Sequence, residues 1–185
     1  MNRRGRFNMG EEQKGLVIIH TGPGKGKTTA AFGLCLRSAG RGYKSRVIQF
    51  LKGGDRSGEL LACEEYLQKM VEIHTYGREG FIGGEPLEED YDMAEEALEK
   101  AREVLNDPEV GLVILDEVNV AVSLGLLGVN EVLELLKEKP EDKHVVLTGR
   151  EAHRKLIEIA DTVTVFDENK HHFSAGVSAV EGIEY

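Results

Sequence analysis

Short apolar runs recur along the chain, each bounded by glycine or charge and each followed by a longer stretch with helical spacing. Leu16 to His20 is the first such run, and its length suits a buried strand. Lys27 to Ala39 is rich in Ala and Leu and predicts a helix. It stops at Gly40 and Gly42, which accept the left-handed backbone a helix end favours. Arg46 to Phe50 reads as a second strand, Glu59 to Lys69 as a helix and Val71 to Thr75 as a strand. Leu87 to Leu105 is a long amphipathic helix. Ala94, Ala97, Leu98, Ala101, Val104 and Leu105 fall on one side, while Glu88, Glu95, Glu96, Glu99 and Glu103 fall largely elsewhere as a solvated face. Leu112 to Leu115, His144 to Thr148 and Thr162 to Phe166 read as further strands, with helices at Val129 to Lys137 and Glu151 to Ala160. Strands alternating with helices predict an α/β fold, a mainly parallel sheet covered by helices on both faces. Gly77 to Gly84 is the largest irregular stretch, and glycine-containing loops of this kind either bind ligands or simply connect.

Composition narrows the class. The 185 residues are 41% hydrophobic and 30% charged, enough for one compact domain. No apolar run approaches the ~20 residues a membrane span needs. Residues 1–14 read as a flexible basic segment, carrying Arg3, Arg4 and Arg6 with no apolar stretch behind them, so no secretory leader is expected. Residues 15–185 then form the single domain. The net charge of -10 disfavours a broad nucleic-acid surface, which would need clustered Lys and Arg. Cys35 and Cys63 lack metal spacing and any CxxC pattern. Cys35, in an apolar helical stretch, is expected in the core, and the pair suits a reducing cytoplasm.

The chemistry concentrates at Thr21-Gly22-Pro23-Gly24-Lys25-Gly26-Lys27-Thr28-Thr29, between the first strand and the first helix. That context makes a phosphate-binding P-loop. The glycines let the backbone turn, the helix end adds positive potential, Lys27 can reach phosphate oxygens and Thr28 can ligate a metal. The strict motif wants glycine at position 21. Here Thr21 stands there and Gly22 lies one place closer, so the loop is a variant. Leu112-Val-Ile-Leu-Asp116-Glu117 has the form of a Walker B strand, whose carboxylates come to the same sheet edge as the loop. Thr28, Asp116 and Glu117 are thus expected to share a metal. Gln49, Phe50 and Lys52 end the second strand at that edge, and Thr148 and Arg150 follow another strand there. Arg150 is a candidate phosphate contact or a solvent partner of Glu151. Arg37, on the first helix, is either a nucleotide contact or a surface residue. Residue chemistry alone stops at a magnesium–nucleotide site. It leaves open a phosphohydrolase or kinase-like enzyme and a non-catalytic ATP-responsive module.

The chain resembles the P-loop type of ATP:corrinoid adenosyltransferases over about Gly15 to Tyr185. The resemblance rests on blocks in order: His20 to Gly33, where the family usually has Asn at the place of Pro23; Val47 to Gly53; Leu115-Asp-Glu117; Val145 to Arg150; Ala160 to Thr164; and Lys170-His171 leading to Gly182-Ile-Glu-Tyr185. The family shares the shortened loop. The resemblance implies a RecA-like single-domain fold. It also implies transfer of the 5′-deoxyadenosyl group of ATP to a Co(I) corrinoid, with triphosphate released, in adenosylcobalamin synthesis or salvage. It further implies Mg2+, for which Mn2+ would fit the same oxygen ligands, with Lys27 acting on the leaving group and Gly22 to Thr29, Arg37 and Arg150 binding nucleotide. A homodimer and a flavoprotein or similar electron donor are the implied partners. Relatives carry a Gly-Phe-x-Trp segment thought to cover the lower corrin face. This chain has Gly80-Phe-Ile-Gly83, retaining Phe81.

Overall fold

The computed structural model describes residues 14–54, 57–80 and 84–184. Six strands form one wholly parallel sheet. They are β1 (Val17–Thr21), β2 (Lys44–Phe50), β3 (Val71–Tyr76), β4 (Val110–Asp116), β5 (His144–Thr148) and β6 (Thr162–Val165), in spatial order β3-β2-β4-β5-β1-β6. The order matters for function. β1 and β4, which carry the two motifs, are not neighbours, because β5 lies between them.

Alternation along the strands sorts side chains between two layers. Val47, Leu112, Ile114 and Val146 face α1 (Lys27–Gly40) and the segment around Cys63, together with buried Ala31 and Cys35. Ile48, Phe50, Val113, Leu115, Val145 and Leu147 face the opposite layer. That layer holds α3 (Glu88–Leu105), α4 (Val118–Ser123), α5 (Val129–Glu138) and α6 (Arg154–Ile159). Strands buried on both sides read as continuous apolar runs, which is why β4 and β5 were legible. Phe50 is fully buried; a side chain of that size contributes about 1.5–3 kcal/mol by leaving water. The acidic side of α3 is exposed, as expected for a solvated face.

Three expected elements change in detail, and one helix is new. The helix expected from Glu59 to Lys69 is α2 (Gly58–Ala62) running into a π-helical turn, Cys63–Leu67. The helix expected from Glu151 to Ala160 begins only at Arg154. Gly149 (φ 125) and Glu151 (φ 56) are left-handed and keep the preceding residues as a loop, which the His153 side chain then caps by accepting from the Lys155 N–H. β6 ends at Val165, one residue before the expected Phe166. Finally, α4 was not expected, because Val118-Asn-Val-Ala-Val-Ser is β-branched and weakly helical. Burial of Val118, Asn119 and Ala121 overrides that preference. Cys35 lies in the core as expected, and burial pushes its thiol pKa up to about 12.

Candidate active site

One row of polar side chains crosses the sheet at its C-terminal edge. His20, Thr148, Asp116 and Gln49 continue the α1-facing positions of β1, β5, β4 and β2, and the register pairs His20 with Thr148 and Gln49 with Asp116. Apolar residues two positions earlier in each strand fix the face, so these four side chains share the α1 side of the sheet.

Asp116 is the centre of the row and is fully buried. Its Oδ1 accepts from Thr28 Oγ1 at 2.9 Å and from Thr148 Oγ1 at 2.7 Å. Its Oδ2 accepts from Gln49 Nε2 at 3.1 Å and from Lys52 Nζ at 2.6 Å. Burial alone would raise the Asp116 pKa. The Lys52 charge and the bonds from Lys52, Thr148 and Gln49 outweigh burial and hold it below the usual carboxylate range. Thr148 also accepts from the Glu117 N–H at 2.9 Å, so one hydroxyl of β5 ties both halves of the Asp-Glu turn. Glu117 is left-handed (φ 65). Burial, and then the Asp116 charge, raise its pKa against the opposing pull of Lys52, Lys27 and Arg150.

The loop is held by the segment after β6 as much as by its own turn. The Gly24 N–H donates to Phe166 O at 2.8 Å. A Cβ on Gly22 would stand 2.4 Å from Phe166 O, and one on Gly24 2.5 Å from Asp167 O. These glycines therefore admit a neighbouring backbone, a need the motif does not reveal. Gly26 (φ 111) caps α1 with no side-chain bond, leaving the first amides of the helix for an anion. Lys27, only 8% exposed, curls back to donate to Gly22 O at 2.8 Å and Gly24 O at 2.7 Å. Burial lowers its pKa, with Glu117 opposing. A phosphate oxygen is a stronger, charged acceptor than either carbonyl and can take the ammonium over.

The remaining expected residues divide. Pro23, Lys25 and Thr29 are exposed around the loop. Lys25 turns away, donating to Ile183 O at 2.8 Å and pairing with Glu184 Oε1 at 2.7 Å. Arg150 is exposed, and its charge bears on Lys27 and Glu117. Arg37 is exposed in the last turn of α1, roughly 15 Å along the helix from Lys27, so this chain's own fold does not bring it to the loop. Phe81 lies outside the described residues. Arg78, among the described residues, makes two bonds of 2.7 Å to the carboxylate of buried Asp90. Sequence reading gave Gln49, Lys52 and Thr148 a place at the edge but not a shared partner. The signal for that partnership is register, which one strand alone does not carry. Buried Asn119 was missed altogether. Its Nδ2 donates to Gly149 O at 3.4 Å, pinning the turn that leads to Arg150.

A parallel sheet whose first strand feeds a glycine turn and helix, and whose fourth strand brings a buried carboxylate to that helix, is a P-loop nucleotide-binding domain. A solved KaiC-like protein of Pyrococcus horikoshii shares the fold, with a TM-score of 0.55 and 19% identity over 85% of this chain and 75% of that one. The family profile of the ATP:corrinoid adenosyltransferases BtuR/CobO/CobP matches residues 13–185. Corrinoid adenosyltransferases of Sinorhizobium sp, Pseudomonas aeruginosa and Escherichia coli K12 are 43%, 41% and 37% identical. They cover 94%, 94% and 97% of this chain, which spans 82%, 85% and 90% of theirs. The chain belongs to the ATP:corrinoid adenosyltransferase family, and its activity is ATP-dependent adenosyl transfer to a corrinoid.

Proposed function

We propose that the triphosphate of ATP lies along Gly22 to Thr29 and against Lys27, with the ribose 5′ carbon turned toward the corrinoid. The Co(I) centre donates an electron pair to C5′, the C5′–O bond breaks, and triphosphate leaves with the bonding pair. The new cobalt–carbon bond leaves cobalt formally Co(III), so the charges balance without phosphoryl transfer. Charge develops on the leaving triphosphate, where the α1 amides and Lys27 are aimed. Arg150 adds positive charge at the same edge, and Phe81 excludes water beneath the corrin.

The donor set fits a hard divalent cation. Thr28, Asp116 and Glu117 offer only hydroxyl and carboxylate oxygens, and Thr28 Oγ1 already lies 2.9 Å from Asp116 Oδ1. These three residues would hold Mg2+ or Mn2+, which supplies charge neutralisation to the triphosphate. Two buried, unbridged cysteines suit a reducing cytoplasm, where a flavoprotein or similar donor would supply Co(I). Val163 and Val165 on β6 and Ile157 and Ile159 on α6 are exposed apolar side chains, which supports a homodimer. Light scattering in solution tests that assembly, and a monomer at micromolar concentration overturns it.

The observation that carries the site is Asp116 Oδ1 shared by Thr28 and Thr148. The test is an anaerobic assay with ATP, magnesium and chemically reduced cobalamin, following the light-sensitive alkyl product and the phosphate species released. Stoichiometric triphosphate is expected. Lys27→Ala is expected to lower kcat/KM by about 10²–10³, the scale of removing a preorganised charge donor. Release of orthophosphate alone would overturn the reading.

A further inference from the structure

Lys52 is built into its position with unusual care. Leu51 before it is left-handed (φ 59), a conformation that strains a non-glycine residue. The Lys52 N–H donates to Tyr76 O at 3.3 Å. Gly53 bridges to Glu79, and a Cβ there would stand 2.1 Å from Gly77 O. The chain after β2 is thus clamped to the chain after β3, and the result is one ammonium 2.6 Å from Asp116 Oδ2. The two ends of this ion pair differ in burial. The Asp116 side chain is 0% exposed and the Lys52 side chain 37%. The carboxylate is fixed, while the ammonium has solvent on one side and a long stem on which to move.

We propose that Lys52 is a displaceable counter-ion of the metal seat: it guards Asp116 against free divalent cations and passes to the polyphosphate when metal and ATP arrive together. The inference rests on the metal seat proposed above. A free cation approaching Asp116 meets an already neutralised carboxylate and must displace Lys52 with nothing to receive it. A metal–ATP complex brings phosphate oxygens that accept the ammonium and leave Asp116 Oδ2 to the metal. Metal and nucleotide therefore bind as one coupled unit, and by linkage each raises the affinity for the other.

The experiment uses the full chain and reads bound Mn2+ by electron paramagnetic resonance, with and without ATP and with no corrinoid present. Lys52→Met keeps the stem and removes the charge. It is expected to bind Mn2+ alone roughly tenfold more tightly than the parent, and Mn2+ with ATP roughly tenfold more weakly, the scale of one partly screened charge pair. Lys52→Arg is expected to stay within about threefold of the parent in both arms. Lys52→Gln provides the same charge removal with a retained hydrogen bond, should the methionine variant fold poorly. Unchanged or weaker Mn2+ binding without ATP in the charge-free variants overturns the proposal while leaving the metal seat standing. Absence of ATP-dependent Mn2+ binding in the parent protein overturns the seat itself, and the proposal with it.

Discussion

Two charged clusters flank the phosphate loop, and they differ in almost everything except residue type. In one, Asp116 receives four donors from α1, β2, β5 and the turn after β2, with no exposed surface. In the other, Glu184 meets Lys25 at 2.7 Å and His172 at 3.5 Å, and all three side chains are partly open to water. The ligand atoms of His171, His172 and Glu184 even lie within 4.8 Å of one another. Yet the Lys25 ammonium already sits on Glu184, and the His171 Nδ1 is engaged by the Phe173 N–H at 3.2 Å. A solvated pair of this kind can exchange partners with water at little cost. A buried carboxylate cannot, so each of its partners must be supplied by the fold. Burial, not the presence of acids and bases, separates the Asp116 cluster from this Lys25–Glu184–His172 clasp.

The contrast can be broken at several points. Asp116→Ala should have the largest effect, removing the common acceptor of Thr28, Gln49, Lys52 and Thr148. Adenosyl transfer should fall by about 10³ or more, and urea denaturation should show a loss of about 2 kcal/mol from hydroxyl and amide groups left without an acceptor. Thr148→Val keeps the shape but removes both the donor to Asp116 and the acceptor for the Glu117 N–H. A loss of about 1–2 kcal/mol in stability is expected, with kcat/KM down roughly tenfold by steady-state assay.

Burial and Asp116 raise the Glu117 pKa above its ordinary 4.5. A carboxyl raised on folding stabilises the fold fully below 4.5 and loses that share as pH climbs through its folded value. Asp116 runs the opposite way: its contribution is present above 3.8 and is lost as pH falls through its lowered folded value. With Glu117 holding the metal as proposed, it must be ionised to bind, and Mn2+–ATP affinity should drop as pH falls toward its raised pKa. Glu117→Gln should weaken binding and erase that inflection in a titration series. The smallest effect is assigned to the clasp. Glu184→Gln should change kcat/KM by less than about twofold. A tenfold loss would show that the clasp belongs to the chemistry after all.

The unequal legibility of the two clusters has a physical cause. Gly22 to Thr29 and Asp116-Glu117 are local patterns, and local patterns survive in a linear sequence. The partnership of Gln49, Asp116, Thr148 and His20 depends on which strands lie side by side. That order follows from how four crossovers pack, and no single segment encodes it. Lys52 illustrates the gap: it was visible at the sheet edge, but its hold on Asp116 depends on the strained Leu51 and on the close approach of Gly53 to Gly77. α4 hid for a different reason, since its β-branched residues argue against helix until buried contacts overrule them. Leu51, Glu117 and Glu151, the left-handed residues other than glycine among those described, all come just after strands at this one edge. Strain gathered in that way marks the functional rim.

The insertion of β5 between β1 and β4 also sets when the site can exist. Thr28, Asp116 and Thr148 meet only after three strands drawn from across most of the chain have paired. The completed hydrogen-bond cluster cannot form on a nascent chain before Thr148 has been made. Long-range parallel pairing is slow to nucleate. Assembly of the nucleotide site is therefore a late event in folding, and ATP selects the finished molecule, pulling the equilibrium toward it by mass action.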